Sequence, residues 1–119
     1  MSSEPRTVTL PTSDRGDVTI PEPDWCTGVH EGIHYYSDLG HDGPDVSLDF
    51  RGHRVMDACL TQSPFALRAT RVPQISITVA GRALDAAGVY EFAAALDRYA
   101  DQLRDLASQL DAITSGGSQ

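Results

Sequence analysis

Lysine is absent from this sequence: all nine cationic residues are Arg, set against seventeen Asp and Glu. That usage speaks of a GC-rich coding genome more than of a mechanism. The deficit of positive charge does have a consequence, because a formal net charge of −8 repels nucleic-acid backbones. The imbalance is local: residues 1–60 carry 11 acids against 4 Arg, residues 61–119 carry 6 against 5. A basic patch would need Arg51, Arg54, Arg68, Arg71 and Arg82 to be gathered, and no aromatics interleave with them. Nucleic acid is therefore not expected as a partner. The acids are too scattered for a nucleic-acid mimic.

Long apolar runs are missing too. None approaches the ~18 residues of a membrane span, and "MSSEPRTVTL" lacks a charged-then-apolar leader pattern. The expectation is a cytoplasmic protein with no membrane partner. Cysteine is scarce: Cys26 and Cys59 cannot make a disulfide framework and read as buried or ligating thiols. Aromatics make up 7%. There is no internal repeat, and "GVHEGIH" has the wrong order for a phosphate loop. A chain of 119 residues can bury one core, and the expected layout is a single domain over 7–113 with disordered ends at 1–6 and 114–119.

The patterned parts come next. "VTL" (8–10) and "VTI" (18–20) flank "PTSDRGD", good chemistry for a hairpin loop. "DVSLDFRG" puts Val46, Leu48 and Phe50 on one face, and "QISITVAG" does the same with Ile75, Ile77 and Val79. Such period-two alternation marks antiparallel strands over a one-sided core. "IHYYSDL" (33–39) alternates more weakly and could pair with 45–51 across "GHDGP". In 53–72, "VMDACL" suggests a short helix and "FALRATR" an edge strand.

From residue 85 the period changes. Val89, Phe92, Leu96, Tyr99, Leu103, Leu106, Leu110 and Ile113 recur at alternating spacings of three and four. With Asp85 as N-cap, Leu84 and Val89 as a staple and Gly116-Gly117 as the stop, the spacing predicts a helix over 86–113. The fold class is α+β: an antiparallel sheet of four to six strands packed by one long C-terminal helix. That rod would be roughly 42 Å long, over a sheet about 20 Å on a side. Its far half should overhang with Leu103, Leu106, Leu110 and Ile113, flanked by small Ala93, Ala100 and Ala107. A homodimer through those four residues is the expectation, the rival being residues 53–72 folded over them. Charged flanking positions that would fix helix orientation are missing, Ala95, Gln102 and Gln109 standing there.

One stretch, "PDWCTGVHEGIHYYSDLGH" (23–41), gathers a Cys, three His and the single Trp. Short-spaced Cys and His are borderline-soft metal ligands. Cys26 and His30, four apart across Gly28, could share an ion, although a pair of C-x2-C motifs is missing.

The stretch "EPDWCTGVH", with His41 eleven residues beyond His30, resembles a family of small actinobacterial proteins of unknown activity. There the pattern reads Cys-Pro-x-Trp-Cys, three residues, His, then a second His just before a strand. The same family runs a strand into G-x-x-L and an Ala-rich helix, matched here by "VAGRALDAAGVYEFAAALDRYADQL". The resemblance covers most of 7–113 and implies a zinc-binding loop with Cys26, His30 and His41 as metal ligands. The first family Cys falls on Glu22, which could ligate through oxygen, as His34 could through nitrogen.

A straight strand over 33–39 would hold His30 and His41 at least ~20 Å apart. The trio then fails, and Cys26, His30, His34 and His53 become the alternative cluster. In the third reading no metal binds, Trp25 plugs the core edge, Cys26 is a small buried hydrophobe and the histidines are surface groups. Trp25, Tyr35 and Phe50 are expected to be buried. For function, the expectation is a non-catalytic accessory or regulatory protein acting through homodimerisation and protein contacts, with no catalytic residues. The alternative is a small metal- or thiol-dependent enzyme built on Cys26 with a His, or on Cys59 with His53.

Overall fold

The computed structural model describes residues 6–81 and 84–116. Six strands precede one helix: β1 (Arg6–Thr12), β2 (Gly16–Glu22), β3 (His41–Asp42), β4 (Val46–Phe50), β5 (His53–Gln62), β6 (Gln74–Val79) and α1 (Ala86–Ser115). The α+β class is as expected. Contacts divide the chain into two compact units, Met1–Pro44 with Leu60–Gln74 and Asp45–Cys59 with Ile75–Gln119. Among the described residues no helix is long and apolar enough to cross a membrane.

In the first unit β1 and β2 form the expected hairpin, from Arg6↔Glu22 to Thr12↔Gly16. Gly16 takes φ +65°, the left-handed conformation that closes a three-residue loop. Val8, Leu10, Val18 and Ile20 share one face, covered by Leu39, Tyr36 and Phe65. β3 joins the end of β5 through His41↔Gln62 and Asp42↔Thr61.

The second unit is built on β4 and β5, paired antiparallel, with β6 also paired to β5. Leu48 and Phe50 point to the core as their alternation predicts, and there they meet Val55, Ala95 and Tyr99. Asp85 caps α1, accepting from the Gly88 N–H at 2.8 Å. Phe92 meets Phe50 edge-on at 5.1 Å between centroids, and the buried Tyr99 donates its hydroxyl to Val46 O at 3.0 Å.

Several expectations change. "VMDACL" is not a helix but the middle of β5, and "FALRATR" forms no strand. The register skips Val55 between Leu48↔Met56 and Asp49↔Arg54, a bulge. A bulge turns two successive side chains toward one face. Val55 and Met56 both reach the core, and buried positions then follow at Ala58 and Leu60, an apolar spacing that imitates a helix. On β6 the alternation holds as a strand, yet Ile77 and Val79 stay exposed.

Of the chain ends, Arg6 lies in β1 and residues 114–115 lie in α1; residues 1–5 and 117–119, where most of the expected disorder falls, lie outside the described residues. So do Gly117 of the helix stop and Arg82 of the basic set. The wet distal stripe of α1 is also not what the chain shows. Leu106 is 3% exposed, and Leu103, Leu110 and Ile113 are half-buried. The small residues Gly88 and Ala95 are buried instead of their neighbours Val89 and Leu96, which turns the proximal stripe partly to solvent.

Candidate metal centre

Residues 33–39 decide between the readings of the Cys–His stretch, and they are not a strand. Only the bridge Thr12↔His34 and a single 3-10 turn at Tyr36–Asp38 interrupt an irregular path. The tip of the first hairpin holds that path. Ser13 N–H donates to His34 O at 3.0 Å, Tyr36 N–H donates to Asp14 Oδ1 at 2.9 Å, and the Arg15 guanidinium lies 4.2 Å above the Tyr36 ring. The chain therefore doubles back, and the ~20 Å separation of a straight strand does not arise.

Two further ties bring the loop ends together. Thr27 N–H donates to Asp42 O at 2.9 Å, setting Cys26 beside β3, and Arg6 donates from Nη2 to Pro23 O at 2.9 Å. Gly28 and Gly32 adopt φ of +83° and +79°, where a side chain would be strained. The hairpin end supplies Glu22, the loop supplies Cys26 and His30, and β3 supplies His41.

One donor atom from each of Glu22, Cys26, His30 and His41 lies within 4.8 Å of the others, and the four could hold a metal ion. His30 Nε2 is 3.0 Å from each Glu22 oxygen and 3.8 Å from Cys26 Sγ. His41 Nδ1 sits 2.8 Å from Glu22 Oε1. All but His30 are buried. His30 and His41 cross edge-on at 5.8 Å, and Trp25 meets His41 edge-on at 6.3 Å, walling that side.

The electrostatics suit a cation. Burial raises the Glu22 carboxyl, but hydrogen bonds from His30 and Cys26 and the charges of both histidines outweigh it and hold it below its usual range. Burial pushes the Cys26 thiol up against the pull of the Gly28 and Asp42 backbone N–H groups, and Glu22 adds to the rise. Burial likewise pushes His41 down against the attraction of Glu22, leaving a neutral imidazole with a lone pair to give.

The trio Cys26, His30 and His41 is thus brought together, with Glu22 as the fourth donor. The rival cluster is not. His34 is exposed with Nε2 2.8 Å from Glu31 O, and His53 is exposed opposite Phe50 on the strand register. His53 and Cys59 lie six residues apart on β5, about 20 Å. Of the aromatics, Phe50 is buried and Trp25 half-buried, whereas Tyr35 is exposed; Tyr36 is packed instead, stacked on Phe65 at 4.4 Å. Among the described Arg residues of the basic set, Arg51 pairs with Glu91 at 2.8 Å, Arg54 lies near Asp45 and Asp49, and Arg71 donates to Ala66 O.

No curated protein and no solved structure matches the chain. A family model described as a domain of unknown function (DUF6907) matches residues 7–112, nearly the whole chain, and the chain belongs to that family.

Proposed function

We propose that this is a non-catalytic accessory or regulatory protein that acts through protein contacts, including contacts with a second copy, and whose 22–41 loop is stapled by one structural zinc ion. The observation that carries the metal reading is the convergence of two imidazole nitrogens, one thiol and one carboxylate within 4.8 Å. That donor set is borderline in softness and of the number zinc prefers in closed sites. His41 Nδ1 supports the fit: it is buried beside a carboxylate yet has no hydrogen-bond partner, the state of a ligand atom aimed at something else. Bound zinc would stabilise the Glu22 carboxylate and the Cys26 thiolate together.

The same geometry speaks against a thiol enzyme at this place. A relay needs the thiol and the acid on opposite ring nitrogens, and here both address His30 Nε2. Burial also raises the Cys26 thiol, the reverse of an activated nucleophile. A cavity of about 280 Å³ adjoins the loop, and of the four donors only His30 lines it, so Cys26 does not face that cavity.

The test is elemental analysis after metal-free purification and zinc add-back. One zinc per chain is expected, falling to zero in Cys26→Ser with His41→Ala. A ratio near zero in the unaltered chain overturns the metal reading.

A further inference from the structure

The proximal half of α1 and strand β6 leave an apolar groove of about 520 Å³, lined by Val55, Met56, Val79, Leu84, Phe92 and Leu96 among others. No charged side chain lines it. β4 occupies one edge of β5 and β6 the other, with Ala80 N–H donating to Val55 O at 2.7 Å. The outer edge of β6 makes no backbone hydrogen bond to another element among the described residues.

That edge is unguarded. Sheets that end in water protect the last strand with charge, proline or a bulge, and "QISITV" has none of these. Two of its three apolar side chains are wet: Ile77 is 55% and Val79 64% exposed, with Val89 at 54% and Leu96 at 37% across the groove.

We infer that β6 pairs antiparallel with β6 of a second copy of this chain, joining the two sheets and closing the two apolar grooves onto each other. This deepens the association part of the proposed function and is independent of the metal.

A second copy is the occupant that fits. An antiparallel strand pair is its own two-fold, and a two-fold perpendicular to the sheet keeps both copies of α1 on the same face. Each groove then meets its own equal, apolar against apolar. Charge selects the same face: with a net −8 on each chain, two copies repel wherever acids meet, and this surface carries none. Area points the same way. The four exposed side chains open on the order of 300 Å² of apolar surface, already the size of an ordinary monomer's largest patch. The half-buried Met56, Leu84 and Phe92 and a strand edge of six residues extend it toward the ~800 Å² per partner of a stable interface.

The experiment is sedimentation equilibrium of the full chain with zinc present, from micromolar to about 200 µM, for the unaltered protein and for Ile77→Lys, Val79→Lys and Leu110→Lys. Both β6 variants place a charge on a side chain already wet, and far-UV circular dichroism checks that the helix remains. A dimer is expected for the unaltered chain and for Leu110→Lys, with dissociation at least about 100-fold easier in the β6 variants. Amide exchange of β6 in the unaltered chain should slow as concentration rises. A dimer lost only in Leu110→Lys moves the contact to the distal helix and overturns this inference while leaving association intact. A dimer that survives all three variants with unprotected β6 amides overturns it too, and a monomer throughout overturns association itself.

Discussion

His41 Nδ1 lies 2.8 Å from Glu22 Oε1, within hydrogen-bond distance, and yet it has no hydrogen-bond partner. Two donor atoms pressed together without a shared proton are what a cation between them would repay. Glu22→Gln keeps the shape and removes the charge, so zinc affinity should fall by about 100-fold in chelator competition, at the top of the range for losing a supporting group. Glu22→Cys puts a second thiolate in the donor set. It should bind zinc at least as tightly as the natural chain, and a cobalt-loaded sample should gain thiolate absorption. Unchanged affinity in Glu22→Gln would remove Glu22 from the ligand set.

Metal removal should loosen one region selectively. The 23–40 stretch has a single 3-10 turn, few backbone ties and two glycines at positive φ. With a ligand at 100 times its Kd, binding stabilises by about 2.7 kcal/mol. Chelation should therefore open the loop to limited proteolysis around residues 28–35, while the amides of α1 keep their protection. Cleavage spread evenly along the chain would argue against a local staple.

The pH dependence has a definite sign. His41 is held below its ordinary 6.5, so below that pH the unfolded chain takes up a proton that the fold refuses. Its contribution is present above 6.5 and is lost as pH falls. Glu22 is held below 4.5, so its contribution is present above that value and is lost as pH falls through the folded value. Both act in the same direction, and the metal-free protein should show urea midpoints that decline from pH 7 to pH 4. His41→Phe should flatten the upper part of that decline, near pH 6.

Local chemistry made much of this legible from residues alone. The hairpin, β4 and the N-cap at Asp85 each rest on a few adjacent side chains, and all are found. β5 was obscured because the bulge at Val55 breaks the period-two signal that announces a strand. The metal trio hinged on whether 33–39 runs straight, which depends on Asp14 and Ser13, some twenty residues away, gripping Tyr36 and His34. Tyr35 and Tyr36 exchange roles for the same reason, because the turn at 36–38 points the second ring, not the first, at Phe65.

The buried face of α1 shows where periodicity misleads by one residue. The heptad stripe treats Val89 and Leu96 as equals of Tyr99 and Leu106, whereas the buried positions are Gly88, Ala95, Tyr99 and Leu106. A Cβ on Gly88 would come within 3.0 Å of Asp85 Oδ1 and 3.2 Å of Leu84 Cβ, so a side chain there would press the cap residues away by a few tenths of an ångström. Large residues at 88 and 95 would lift the helix start; small ones let it settle, and Val89 and Leu96 are turned outward. Truncation should reveal that rotation. Leu106→Ala, from a side chain 3% exposed, should cost about 2–5 kcal/mol. Tyr99→Phe, which removes the hydroxyl's bond to Val46 O, should cost about 1 kcal/mol. Val89→Ala should cost well under 1 kcal/mol at concentrations where the chain is monomeric. Urea denaturation of the three variants measures the order, and a Val89→Ala cost equal to that of Leu106→Ala would restore the even stripe.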